Sequence, residues 1–262
     1  MPGHRFFISA DTGIDLNKGK RVRLALDSQT FHHAVRVLRL KVGEHIEVVL
    51  RDVWSTYQCE VEDITIDSIE INVIAEVPTT ELPAQIDLIW GYAKGDKNER
   101  IVRQATEIGC TGLIPVRFSR CDVRLDEERF EKKRQRLQSI AESAAMQAHR
   151  SVIPAVESVL SFKSLLQMLE NYGAIIVAWE QVEEPSISSL ADACLQSGAS
   201  RIALIIGPEG GIECSEIDAL RGIGAQVASM GDSILRVETA CTVGCAILAD
   251  RIRTHATLSA KE

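Results

Sequence analysis

The chain has 262 residues, 45% apolar and 25% charged, a globular balance that excludes disorder, collagen-like repeats and fibre. Its formal net charge of −8 argues against a surface that coats a polyanion throughout. The longest apolar runs, Ile202–Ile206 and Ala174–Trp179, fall far short of the roughly 18 residues a membrane span needs.

The N-terminal stretch shows no basic region followed by an apolar one, so no secretory signal is expected. Seven cysteines without a Cys-x-x-Cys pair suggest reduced thiols, a cytoplasmic location and no metal site. The charge is uneven. Residues 1–51 hold nine Lys/Arg against five Asp/Glu, net +4, and residues 117–150 hold nine against six, net +3. An acidic body with two basic segments can still grip phosphates locally.

In chain order, residues 1–76 read as a small β-barrel. Arg21–Leu26 and Ser68–Ile74 alternate with period two, His45–Leu50 and Tyr57–Ile64 lie between them, and Phe31–Leu38 is a short helical piece. Residues 77–85, with Pro78 and Pro83, form a linker. From residue 86 to 256 strands alternate with helices, the signature of an α/β domain with a mostly parallel sheet. Ile86–Trp90 is its first strand. Asp96-Lys-Asn-Glu99 has capping-box spacing and opens a helix that ends at Gly109. Leu113–Val116 follows, then a long helix over Asp126–His149. The apolar stripe of that helix is Phe130, Leu137, Ile140, Ala141 and Ala144, and Gln147 continues it, so Gln147 should face inward. Further strands are expected at 174–179, 202–206 and 226–230, a last helix at 240–253, and a loose tail at 257–262.

In an open parallel sheet ligands bind beyond the carboxyl ends of the strands. Three such ends stand out: Glu180 after the strand at 174–179, Gly207-Pro-Glu-Gly-Gly211, and Gly231–Ala240. The glycine loop has more glycines than a simple turn requires and suits close backbone approach to a ligand. It is neither a phosphate-binding Walker loop nor a Gly-x-Gly-x-x-Gly fingerprint. Arg236 and Glu238 lie between an apolar strand and an apolar helix start, so they should be semi-buried and paired. Cys241 and Cys245 lack further metal ligands nearby and read as packed thiols.

These residues resemble the RsmE family. The resemblance rests on Arg5-Phe-Phe, His33–Arg39, Lys94–Glu99 with Thr106–Gly109, Ser119–Cys121, Gln147–Arg150, Ile206–Gly211 and Ile234–Ala240. That family consists of methyltransferases of the SPOUT, or trefoil-knot, superfamily, which use S-adenosylmethionine to methylate the imide nitrogen of a uridine in small-subunit ribosomal RNA. The chain departs from its pattern at Met146, where Glu is usual, and at Val53, where Gly is common.

The resemblance implies a deep knot in the C-terminal domain, an RNA-binding barrel of PUA or OB type, and a homodimer with the site near the subunit interface. It implies ribosomal RNA as partner, in the assembled subunit. The cofactor would lie against Trp179, Glu180, Gly207, Pro208, Glu209, Gly210, Gly211, Met230, Gly231, Ser233, Ile234, Leu235, Thr239 and Ala240. Arg236 would stabilise charge on the uracil oxygens, with Glu238 or Glu209 as base or as the group that orients Arg236. RNA contacts are expected at Arg5, Arg21, Arg23, His33, Arg36, Arg39, Lys94, Lys97, Arg120, Gln147 and Arg150. Three rivals remain open: a knotted ribose 2'-O-methyltransferase, a non-catalytic ribosome-assembly factor, and an unrelated nucleotide-binding α/β enzyme.

Overall fold

The computed structural model describes residues 4–9, 16–24, 26–51, 53–121 and 127–259. The chain divides into two compact units, residues 1–81 with 149–152, and residues 82–148 with 153–262.

The first unit is a five-stranded sheet in the order β1-β3-β4-β5-β2. Its strands are β1 (His4–Ile8), β2 (Arg21–Leu24), β3 (His45–Leu50), β4 (Ser55–Ile64) and β5 (Ile69–Val77). β1 pairs parallel to β3 and the other pairings are antiparallel. Alternation decides the faces: Ile46 and Val48 of β3, Cys59 and Val61 of β4, and Ile69, Ile71 and Val73 of β5 enter one core with Phe6 and Leu24. Helix α1 (Ser28–His32) runs into a π-helical turn over His33–Val37. Of the Arg21–Leu26 strand, residue 25 lies outside the described residues.

The second unit is a parallel sheet in the order β12-β10-β11-β6-β7-β8, with β9 also on β7. Its strands are β6 (Gln85–Gly91), β7 (Gly112–Arg117), β8 (Ala155–Val156), β9 (Leu160–Ser161), β10 (Ile175–Ala178), β11 (Arg201–Ile206) and β12 (Gln226–Ala228). The central strands are apolar throughout because both faces are covered. Ile202, Leu204 and Ile206 join one core with α2 (Lys97–Ile108), α3 (Glu127–Gln147), α5 (Ile187–Gln196) and α7 (Val237–Ser259). Ala203 and Ile205 join the opposite core with α4 (Phe162–Leu169) and α6 (Cys214–Gly222). The chain steps outward from β6 to β7, then returns to β10, and β11 slots between β10 and β6. The loops after β10, β11 and β12 are thereby gathered at one end of neighbouring strands.

Three expectations change. The capping box at Asp96 does not form. Asp96 has helical φ and ψ with no side-chain cap, and Glu99 instead pairs with Arg136 at 2.8 Å. A reciprocal cap of that spacing occurs at α6, where Glu216 accepts from the Glu213 amide at 3.1 Å. Gln147 is exposed rather than inward, because the last turn of α3 leaves the core after Ala144 and Ala145. The last helix runs from Val237 to Ser259, so residues 257–259 of the expected tail are helical; residues 260–262 lie outside the described residues, as does Asp126.

Candidate functional site at the strand ends

The loop after β11 is shaped by contacts that leave no room for side chains. A Cβ on Gly207 would meet Ile212 at 2.7 Å, and one on Gly210 would meet Arg120 at 2.9 Å. Gly211 has φ +76, and its Cβ would meet Glu180 Oε1 at 2.7 Å. Glycine is required here by close approach and, at Gly211, by backbone conformation. Trp179, at the end of β10, is buried and donates its indole N–H to the Ile212 carbonyl at 3.4 Å. Its backbone N–H bonds the Ala228 carbonyl at 3.0 Å, tying the β10 and β12 loops together.

These loops enclose a cavity of about 470 Å³, within the usual range for small-molecule sites. Of the expected cofactor residues, Trp179, Glu180, Gly207–Gly211, Met230, Gly231, Ser233, Ile234, Leu235 and Ala240 all line it. Thr239 does not, because it is exposed on α7. Lys97, Ala178, Ile206, Asp232, Arg236 and Val237 complete the wall.

The three expected catalytic residues separate. Arg236 lines the cavity, is exposed, and has no ion pair among the described residues. This corrects the expectation of a semi-buried pair: α7 starts one residue later, so Arg236 stands outside the packed helix. Glu238, in the first turn of α7, is 7% exposed and does not line the cavity, and its Oε2 has no hydrogen-bond partner among the described residues. Glu209 lines the cavity and accepts from Lys97 Nζ at 2.8 Å and from the Lys94 amide at 3.4 Å. Partial burial of Glu209 opposes its ionisation. Lys97 and the backbone amides of Glu209 and Lys94 outweigh that, so the carboxyl sits below its ordinary range. Glu209 in turn raises Lys97.

Two supporting residues carried no chemical motif of their own. Buried Asn98 accepts from the Trp90 indole at 2.9 Å and from the Ala93 amide at 3.1 Å, and donates to the Ala93 carbonyl at 2.7 Å. It fixes the turn that presents Lys94 and Lys97. Buried Glu216 accepts from the Ser119 amide at 2.8 Å and hydroxyl at 3.0 Å. It holds the Ser119–Cys121 turn where Arg120 donates to the Gly210 carbonyl at 3.3 Å. The Glu213–Glu216 spacing at a helix start was the available signal for Glu216; Asn98 lay inside the Lys94–Glu99 motif, which marked a helix start without pointing to its own bonds.

The expected RNA contacts also divide. In the first unit, His33, Arg36 and Arg39 are exposed. Arg21 and Arg23 are exposed and pair with Glu62 and Asp67 at 2.9 Å each. Arg5 and Arg150 are corrections, since both are committed internally. Arg5 pairs with Glu47 at 2.7 Å and donates to the Arg150 carbonyl at 2.6 Å. Arg150 pairs with Glu81 at 2.5 Å, with both side chains about nineteen-twentieths buried. In the second unit, Lys94, Arg120 and Gln147 are exposed, whereas Lys97 belongs to the cavity.

Cys110 and Cys245 sulfurs lie 3.4 Å apart in the core beside buried Cys241. Among the described residues no three His, Cys, Asp or Glu side chains group as metal ligands, and no helix is long and apolar enough to cross a membrane.

Comparison with known proteins agrees with this geometry. Residues 80–249 match the RNA methyltransferase domain family, and residues 26–74 match the RNA methyltransferase PUA domain. A relative from Bacillus subtilis, ribosomal RNA small subunit methyltransferase E, is 32% identical over 82% of this chain and 85% of its own. One of the same description from Mycobacterium bovis is 30% identical over 83% and 82%. The crystal structure of a ribosomal RNA small subunit methyltransferase E from Neisseria gonorrhoeae, bound to S-adenosyl methionine, superposes with a TM-score of 0.73 at 25% identity. It covers 95% of this chain and 97% of that one. With its glycine-walled cavity at the ends of β10, β11 and β12, the chain belongs to the ribosomal RNA small subunit methyltransferase E family, and it is an RNA methyltransferase.

Proposed function

We propose that the protein methylates the ring N3 of a uridine in small-subunit ribosomal RNA, with S-adenosylmethionine bound in the strand-end cavity. The observation that carries this reading is an exposed Arg236, without an ion pair among the described residues, on the wall of a backbone-lined cavity of cofactor size. The fit of the cofactor is supported by Gly210 and Gly211, where any side chain would intrude on Arg120 or Glu180. Gly207–Gly211, Trp179–Glu180 and Met230–Leu235 would hold it, largely through backbone groups.

The cofactor supplies an activated methyl group on a sulfonium. The protein's task is to align the acceptor and to remove the N3 proton. Alignment supplies roughly 7–11 kcal/mol in favourable cases. Arg236 stabilises the negative charge that develops on the uracil oxygens as the proton leaves. Glu209 is the better candidate base, because it faces the cavity and Glu238 does not.

Exposed Arg36, Arg39 and His33 of the PUA-type unit grip phosphates and position the RNA. The target base leaves its stack to enter the cavity. The reading extends to the family's knotted chain path, to a homodimer, to assembled small subunits as substrate and to a cytoplasmic setting.

Thermal unfolding with added ligands tests the cofactor part. Only a ligand of the folded state raises the midpoint. S-adenosylhomocysteine should raise it where ATP and NAD do not; a shift with ATP or NAD and none with S-adenosylhomocysteine contradicts the reading.

A further inference from the structure

Four charged side chains converge where the first turns of α2 and α7 meet the glycine loop. Lys97 and Arg236 line the cavity with Glu209, and Lys97 bridges to Glu209 at 2.8 Å. Glu238 sits behind them, 93% buried, with Oε2 unpartnered among the described residues. Helices α2 and α7 pack together, and Gln104 of α2 accepts from the Thr242 hydroxyl of α7 at 2.9 Å, one turn beyond Glu238. A buried carboxylate oxygen without a partner is costly, so a fold that keeps one invites an arrangement that fills it. The cation that opens the neighbouring helix is Lys97, a long flexible side chain with three donors.

We propose that Lys97 is a shuttling cation that holds Glu209 in the conformation described above and swings to Glu238 as uracil enters, freeing Glu209 to take the imide proton. This rests on the uracil-N3 reading. The proton passes from N3 to a Glu209 oxygen. The N3 electron pair forms the bond to the methyl carbon, and the carbon–sulfur bond breaks with its pair retained on sulfur. The products are 3-methyluridine and S-adenosylhomocysteine, and protonated Glu209 returns its proton to water. Among the described residues, the groups that act on Glu209 are Lys97, the Lys94 amide and Cys121, and those that act on Lys97 are Glu209, Glu238 and Arg236.

The test compares single-turnover transfer to unmethylated small subunits by the wild type, Glu238→Gln, Lys97→Met and the double variant. Glu238→Gln should slow transfer about 100-fold, within the range of a positioned base, with S-adenosylhomocysteine affinity by calorimetry unchanged. Adding Lys97→Met should restore most of that rate, because the cation that caps Glu209 is gone. In the wild type the acid limb of kcat should lie at higher pH than that of kcat/KM, since Glu209 loses its cation only in the complex. In Glu238→Gln the two limbs should coincide. Should Glu238→Gln fold poorly, Lys97→Met alone decides: its limbs coincide if Lys97 shuttles, and stay apart if it does not. A double variant as slow as Glu238→Gln, or a full rate in Glu238→Gln, overturns the shuttle. Digestion of the wild-type product separates the two readings. A nucleoside other than 3-methyluridine removes both; 3-methyluridine without rescue removes the shuttle alone.

Discussion

A Cβ atom on Gly91 would lie 2.3 Å from the backbone nitrogen of Pro208. β6 and β11 pair in register up to Trp90 and Ile206, so the residues that follow bring Gly91 against the entrance of the glycine loop. The floor of the cavity therefore depends on backbone touching backbone, where no side-chain rotation relieves a clash. Gly91→Ala should push the Gly207–Gly211 loop off its seat. Overpacking of this kind costs about 1–3 kcal/mol. The expected outcome is at least a tenfold loss of S-adenosylhomocysteine affinity by calorimetry, in a protein that still unfolds cooperatively.

Arg236 makes no ion pair among the described residues, so its removal should leave stability within about 0.5 kcal/mol. Arg236→Ala should lower kcat about 100-fold or more, as loss of a charge-stabilising donor does, with cofactor affinity retained. Equal losses in transfer and cofactor affinity would show that Arg236 holds the cofactor instead.

The arginines of the first unit should sort by partner. Arg150→Ala breaks a buried pair with Glu81 and should cost about 3–5 kcal/mol in denaturant unfolding. Arg36→Ala with Arg39→Ala removes exposed cations. That double variant should leave stability unchanged and reduce the salt slope of RNA binding by roughly 2.

Tyr172 gives the fold an alkaline weakness. Burial, and then its hydrogen bond to Asp87 at 2.5 Å, push its phenol well above the ordinary value of 10.0. Below that value the unfolded chain also keeps the proton, and the stabilisation is complete. Above it the unfolded chain ionises while the folded one does not, so stability falls as pH rises. Urea unfolding from about pH 9 to about pH 11 should show a steeper loss for the wild type than for Tyr172→Phe.

Much of the second unit was legible because its elements obey local rules. Ile202–Ile206 is apolar in every position because both faces of β11 are covered, and Gly109 ends α2 with a φ of 125. The glycine loop and the Gly231–Ala240 segment were legible as a ligand site because parallel sheets place such loops at strand ends. What sequence could not give were partners distant in the chain. Arg150 reads as a basic helix terminus until Glu81, 69 residues away, is seen to neutralise it. Lys97 is expected at the RNA until Glu209, 112 residues away, is seen to hold it at the cavity wall. Asp96 has cap spacing, yet its helical backbone leaves the cap unmade.

The most direct test of the account is transfer of a labelled methyl group from S-adenosylmethionine to unmodified small subunits, naked ribosomal RNA and transfer RNA, followed by digestion to nucleosides. The account predicts label in 3-methyluridine, from the assembled subunits. Label on a ribose hydroxyl, or in transfer RNA alone, would contradict it, as would the absence of label on any RNA by protein that binds the cofactor.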